Sequence, residues 1–203
     1  MYSNITGVIL AGGKSSRMGT NKALLKINGR TLIEQIAEFL KSLFPKVIVI
    51  TNSPEEYMFI KIPIFQDVYK QRGPMGGIHS ALVNSETENI FVVPCDAPFI
   101  NKEIIEKILS TSSNHKIKIC HAAGFLQPLT GVYSKEHLNE FETWLRGNES
   151  DHETIAEIKQ CKIGDFVKQL GCEIINFDES ESRQAFENIN TPKEFAAAQK
   201  QLR

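Results

Sequence analysis

The chain has 203 residues, 41% of them apolar and 23% charged, with 23 Lys+Arg against 24 Asp+Glu. That length supports a self-sufficient core and reads as one domain over residues 1–203. A net charge of −1 argues against a polyanion-binding surface, so no nucleic-acid partner is expected and any anion site has to be local.

No apolar run approaches the ~20 residues of a membrane span, and the N-terminus enters a strand too early for a signal peptide. The four cysteines, Cys95, Cys120, Cys161 and Cys172, have neither Cys-x-x-Cys nor zinc-ligand spacing. Reduced thiols in the cytoplasm, away from any membrane, are the expectation.

In chain order, Thr6–Ala11 reads as a strand buried on both faces that breaks at Gly12-Gly13 into a polar loop carrying Lys14, Arg17 and Lys22. Such a loop presents backbone N–H groups to phosphate. It is neither a Walker A loop nor a Gly-x-Gly-x-x-Gly fingerprint, since the required spacings are absent. A short extended piece, Ala23–Ile27, and an Asn28-Gly29 turn follow. Thr31 and Glu34 form a capping box for a helix whose apolar stripe runs through Leu32, Ile33, Ile36, Phe39, Leu40 and Leu43. Pro45 ends it.

Val47–Ile50 and Ile62–Phe65 are the next strands, closed by Asn52 and Asp67. A second glycine-rich turn, Gly73-Pro-Met-Gly-Gly77, opens a helix. Ile90–Val93 is a strong strand ending at Pro94-Cys-Asp-Ala-Pro98, and Asn101 caps the helix behind it. Strands alternating with helices predict an α/β fold with a mostly parallel sheet and helices on both faces. Further strands are expected at Lys116–Cys120, Thr130–Tyr133 and Glu173–Phe177, and helices at Ser134–Leu145, Gly164–Leu170 and from Thr191-Pro192 onward. Arg146–Asp151 is the least ordered stretch by composition.

In an open parallel sheet, ligands bind beyond the carboxyl ends of the strands, so Leu10–Lys22, Asn52, Asp67 and Asp96 should face one crevice. A carboxylate at a strand end, as at Asp96, suits Mg²⁺ completed by substrate phosphate oxygens. Lys22 and Arg17 are placed to neutralise charge developing in phosphoryl chemistry. His79, on a helix, is expected to pack rather than to catalyse. Asn52 and Asp67, taken alone, are turn formers.

The pattern Leu10-Ala-Gly-Gly-x-Ser-x-Arg17-Met-Gly-x-x-Lys22 resembles the signature of nucleotidyltransferases, most closely the molybdenum cofactor guanylyltransferases. The resemblance runs in order from Leu10 to Pro192. It implies a Rossmann-like sheet of the nucleotide-diphospho-sugar transferase type. It also implies transfer of GMP from GTP to molybdopterin, giving the guanine dinucleotide and pyrophosphate.

By position, the resemblance assigns Leu10, Ala11, Gly12, Gly13, Lys22, Asn52, Asp67, Gly73, Gly76 and Asp96 to GTP, and Asp96 to Mg²⁺. Arg17, Lys22 and Asp96 become the catalytic set. Arg17, Gln127, Asn188 and Asn190 are assigned to the acceptor. Proteins that deliver molybdopterin and that mature molybdoenzymes are implied as partners.

The chain departs from the pattern where relatives carry an Arg pair: here Gly147–Gln160 is longer and Cys161-Lys162 follows, which leaves Lys159 or Lys162 to meet the acceptor phosphate. Cytidylyltransferase relatives, which tend to show Leu-Ala-Ala-Gly, are the alternative enzyme, followed by other small-acceptor transferases. A catalytically silent GTP-binding adaptor is the alternative of a different class; a nicotinamide-dependent oxidoreductase is disfavoured by the missing fingerprint.

Overall fold

The structure is a computed structural model that describes residues 1–12, 21–146 and 163–201. β1 (Ile5–Leu10) is buried at all six positions, as a strand must be when it has a neighbour on each edge and helices over both faces. β2 (Lys26–Ile27) and β3 (Arg30–Thr31) form a separate hairpin, turned through Asn28 and Gly29 at φ 53° and 79°. The main sheet continues with β4 (Lys46–Ile50), β5 (Ile64–Phe65), β6 (Asn89–Pro94), β7 (Lys118–Ala122), β8 (Phe125–Ser134) and β9 (Glu173–Asn176). Their spatial order is β5-β4-β1-β6-β8-β7-β9. Only β8 opposes its neighbours; the other pairings are parallel.

The helices are α1 (Leu32–Leu43), α2 (Gly73–Asn84), α3 (Lys102–Ser110), α4 (Leu138–Arg146), α5 (Ile163–Leu170), the short α6 (Glu179–Ser182) and α7 (Pro192–Gln201). α1 and α3 cover one face of the sheet, packing Ile36, Leu40 and Ile105 on Ile9, Val49 and Phe91. α2, α4 and α5 cover the other, packing Ile78, Phe141 and Phe166 on Val8, Ile48 and Val92. Alternate residues of each central strand thus feed alternate cores, which is why those strands are apolar throughout rather than every second residue. A smaller cluster of Ile27, Leu32, Ile189 and Ala198 fastens α7 to the β2–β3 hairpin.

The caps form as the sequence requires. Thr31 Oγ1 accepts from Glu34 N at 3.3 Å while Glu34 Oε2 accepts from Thr31 N at 2.8 Å. Asn101 Oδ1 accepts from Ile104 N at 3.0 Å, and Glu194 accepts from Thr191 N at 2.9 Å.

Three expectations change. Ala23–Ile27 is not extended throughout: Lys22–Leu24 forms a single 3₁₀ turn because Asn21 Oδ1 accepts from Ala23 N at 3.1 Å, and only Lys26–Ile27 pairs. β7 is displaced by two residues from its expected span, to Lys118–Ala122, and β8 begins well before Thr130, because a tight turn at Ala123 and Gly124, with φ 51° and 78°, lets the two strands pair to their tips. And Gln127-Pro128-Leu129 lies within β8, not between elements: Cys120 pairs with Gln127 and Ile119 with Gly131, so residues 128–130 bulge out. Proline is tolerated there since no ladder N–H is demanded of it.

Gly131 closes that bulge between two strands, and a Cβ there would lie 2.3 Å from Lys118 O. Backbone cannot yield as a side chain can. Gly131→Ala should therefore lower unfolding stability by about 2 kcal/mol or more, read from the shift in urea midpoint at constant m-value.

Candidate active site

The chain passes from β1 to β4 and β5 on one side and later returns to β6 on the other, so the ends of β1 and β6 flank the point where strand order reverses. Leu10 O accepts from Cys95 N at 3.1 Å and Ala11 N donates to Ile50 O at 2.9 Å, fixing Leu10-Ala11 between the neighbouring strands. Gly12 is exposed, and a Cβ there would meet nothing within 4 Å. No packing among the described residues accounts for this glycine. Gly13, Lys14 and Arg17 lie outside the described residues, as do Gly147–Gln160, Cys161 and Lys162.

Lys22 starts the 3₁₀ turn and extends its ammonium to two partners that are distant in sequence. Its Nζ donates to Asn190 Oδ1 at 2.6 Å and lies 3.5 Å from Asp96 Oδ2. The Lys22 and Asp96 side chains are 17% and 23% exposed, so the pair is withdrawn from bulk water yet open to a ligand. Asp96 stands two residues past the end of β6, and its carbonyl accepts from Ile189 N at 3.0 Å, which ties the segment before α7 to the strand end. Asn101 caps α3, leaving the Asp96 carboxylate free of that task.

On the β4–β5 side, Asn52 Nδ2 donates to Asp67 Oδ2 at 2.6 Å, so these two expected nucleotide contacts meet each other. Gly73 opens α2 at φ 59°, a conformation that favours glycine. Gly76 has a packing reason of its own: a Cβ would lie 2.7 Å from Tyr69 O. Ser80 Oγ accepts from Val68 N and donates to Gly76 O, both at 2.8 Å, pinning the segment after Asp67 onto α2.

The residues expected on the acceptor side gather on the other flank. Asp96, Gln127 and Asn188 line a cavity of about 240 Å³ together with Phe186 and Ile163. Gln127 is oriented by its amide, which donates to Ala122 O at 3.3 Å. Asn190 stands apart, its carbonyl turned to Lys22. Thus the structure brings Lys22, Asp96 and Asn190 into one contact and Asp96, Gln127 and Asn188 around one cavity. The Asn52–Asp67 pair belongs to the neighbouring strand ends.

His79 is buried against Tyr69, with Nε2 3.5 Å from Glu142 Oε1, in keeping with a packing role. Cys120 is buried and His121 exposed, so the two do not converge, and Cys95, Cys120 and Cys172 are free thiols. Burial pushes the Cys95 and Cys120 thiols up to about 12, leaving both protonated and unsuited to nucleophilic work.

Sequence reasoning passed over Asn21, Glu56 and Tyr57. Asn21 Nδ2 donates to Tyr57 Oη at 2.7 Å and to Glu56 Oε2 at 2.5 Å, while its Oδ1 caps the turn that carries Lys22. The one available signal was an Asn immediately before Lys22, at N-cap spacing.

Among the described residues no three His, Cys, Asp or Glu side chains cluster to hold a metal ion. Asp96, beside the Lys22 ammonium, can contribute one carboxylate. That donor set fits a Mg²⁺ ion held jointly with phosphate oxygens and water, as this ion commonly is, and not one caged by protein.

Residues 7–161 match the family model of the MobA-like NTP transferase domain. A probable molybdenum cofactor guanylyltransferase from Carboxydothermus hydrogenoformans is 32% identical over 196 residues, covering 95% of this chain and 93% of the relative. A relative of the same name from Clostridium perfringens is 40% identical over 144 residues, 70% of this chain and 72% of its own. Among solved structures, molybdopterin-guanine dinucleotide biosynthesis protein A from Archaeoglobus fulgidus superposes with a TM-score of 0.76 at 23% identity. That superposition covers 96% of this chain and 97% of the other.

The protonation of Asp96 follows from its surroundings. Burial raises its pKa above the ordinary 3.8, and the ammonium of Lys22 opposes that only in part. A carboxyl whose folded pKa is raised stabilises the fold while protonated, below its unfolded pKa, and that contribution is lost as pH rises through the folded value. The ionised form of Asp96 is therefore less favourable in the fold than in the unfolded chain. Asp96→Asn should melt at or above the wild-type temperature at pH 7, with the difference shrinking as the pH is brought down toward 4. A thermal denaturation series across that range checks the sign.

Proposed function

The chain belongs to the MobA-like NTP transferases, in the molybdenum cofactor guanylyltransferase family, and from that premise we propose that it transfers GMP from GTP to molybdopterin, releasing pyrophosphate. The observation that carries this reading is the meeting of Lys22, Asp96 and Asn190 at the reversal of strand order. A cation from the turn after β1 and a carboxylate just past the end of β6 are held together beside a cavity lined by Gln127 and Asn188.

The terminal phosphate of molybdopterin is already an anionic nucleophile. Its oxygen forms a bond to the α-phosphorus of GTP as the bond to the β-phosphate oxygen breaks, and pyrophosphate leaves with that electron pair. No proton relay is required, and none of the described thiols is poised to supply one. What the chain contributes is alignment and charge neutralisation.

In this reading Lys22 reaches the phosphates of the nucleotide, exchanging Asn190 and Asp96 for phosphate oxygens or sharing itself among them. Arg17 supplies a second cation. Leu10, Ala11, Gly12 and Gly13 let the backbone approach the nucleotide, with Asn52, Asp67, Gly73 and Gly76 on the same side. Gln127, Asn188 and Asn190 face the acceptor. Mg²⁺, bound by Asp96 and phosphate, would add Lewis-acid stabilisation of the negative charge that develops in the transfer.

We assign the activity to one domain of residues 1–203 acting in the cytoplasm, with partner proteins that deliver molybdopterin and accept the product. No helix among the described residues is long and apolar enough to cross a membrane.

The test follows the label from [α-³²P]GTP into molybdopterin guanine dinucleotide with Mg²⁺ present. Wild-type protein should form product and pyrophosphate in equal amounts. Asp96→Asn should lose at least about 10²-fold in rate while remaining folded, the scale on which a single charge-stabilising group acts. Lys22→Ala should both weaken GTP binding and slow transfer. Retention of wild-type rates by either variant would remove that residue from the mechanism.

A further inference from the structure

Lys22 has no long-range backbone anchor of its own in a sheet or long helix; it begins a three-residue 3₁₀ turn. What holds that turn in register with Asp96 is Asn21. The Asn21 side chain uses all of its principal donors and acceptors in one place. Its carbonyl oxygen accepts from Ala23 N at 3.1 Å, and its two amide hydrogens go to Tyr57 Oη at 2.7 Å and Glu56 Oε2 at 2.5 Å.

Tyr57 is 2% exposed and sits in the larger core, among residues of β1, β4 and α1. It ends the Pro54–Tyr57 turn, which starts two residues after Asn52. The turn is itself fixed: Glu56 N donates to Ser53 O, and Ile60 N to Tyr57 O. A rigid phenol thus reaches from the β4–β5 connection to the residue immediately before Lys22.

We infer that Asn21, gripped by Tyr57 and Glu56, is the positioning residue for Lys22, and that through it the β4–β5 connection sets where the ammonium stands relative to Asp96. Neither Asn21 nor Tyr57 has to touch substrate for this. The chemistry of the grip explains why an amide stands at position 21. A carboxylate there would keep the cap on Ala23 N but would present a second anion to Glu56 and lose both amide donors. Burial raises the Tyr57 hydroxyl to about 12, so it remains a neutral partner over the whole working range.

The inference rests on the proposed role of Lys22, and the experiment separates the two. Kinetics of GMP transfer would be measured for Tyr57→Phe, Asn21→Asp, Glu56→Gln and the double variant Asn21→Asp/Glu56→Gln, with thermal melts to confirm folding. A misplaced Lys22 should lower kcat by about tenfold in Tyr57→Phe and Asn21→Asp, with KM for GTP rising in the same direction as in Lys22→Ala. Glu56→Gln alone should change little, because position 56 can still offer an acceptor oxygen. In the double variant the amide introduced at position 56 donates to the new carboxylate at position 21, and kcat should return toward the wild-type value.

A general loss of packing would not be rescued by that second substitution. Wild-type kcat in both Tyr57→Phe and Asn21→Asp, or a double variant no better than Asn21→Asp, overturns the inference and leaves the proposed reaction standing. An absence of transfer by the wild-type protein overturns the reaction instead. The inference is then judged from crystals of the wild type and Asn21→Asp: an unchanged Lys22 Nζ to Asp96 separation contradicts it, and a displaced ammonium supports it.

Discussion

The contact of the Lys22 ammonium with Asp96 and Asn190 is the interaction on which the rest of the architecture converges. Its three members are separated by 74 and 94 residues and come from a turn after β1, the end of β6 and the segment before α7. A partly buried ion pair is weak support for a fold, since desolvating both charges offsets much of their attraction. Here burial outweighs the ammonium at Asp96, leaving its carboxyl with a raised pKa. The arrangement makes better sense as preorganisation. Charges kept partly dry and fixed in place act more strongly on a phosphate than the same charges would in water.

That preorganisation depends on the sheet below it. β1 and β6 are paired in register from Ile5–Asn89 to Leu10–Pro94, so the ends that carry Ala11 and Asp96 stay level. Two apolar layers clamp the strands, with α1 and α3 beneath and α2, α4 and α5 above. The third cluster matters for a different reason. By seating α7 on the β2–β3 hairpin, it brings Asn188 and Asn190 back to the site from the far end of the chain. The bulge in β8 does the same for Gln127, carrying it to the rim of the cavity beside Asp96.

Much of this was legible in the sequence because it rests on local rules. Apolar runs ending in Gly12, Asn52, Asp67 and Asp96 mark buried parallel strands and their ligand-facing ends. The Thr31–Glu34 box and the Asn101 cap set helix starts that the structure reproduces. What escaped depends on contacts between distant segments. The length of β8 and its bulge at residues 128–130 are decided by pairing with β7 and by the close approach at Gly131, neither of which has a periodic signature. The grip of Tyr57 on Asn21 is equally invisible, since a tyrosine in a short polar stretch suggests only surface. At Gly76 two causes coincide. The sequence pattern sets it on the nucleotide side, and the nearness of Tyr69 O independently requires a glycine there. Gly12 has open space where its side chain would be and no positive φ, so neither packing among the described residues nor its backbone conformation explains it.

The most direct test is a single-turnover reaction of the wild-type protein with molybdopterin, Mg²⁺ and one nucleoside triphosphate at a time. The account predicts dinucleotide and pyrophosphate from GTP, with CTP, UTP and ATP at least about an order of magnitude slower, since discrimination by a few hydrogen bonds to a base reaches that scale. Efficient transfer from CTP with GTP inert would contradict it, preserving the fold and the charge arrangement but not the reaction assigned to them.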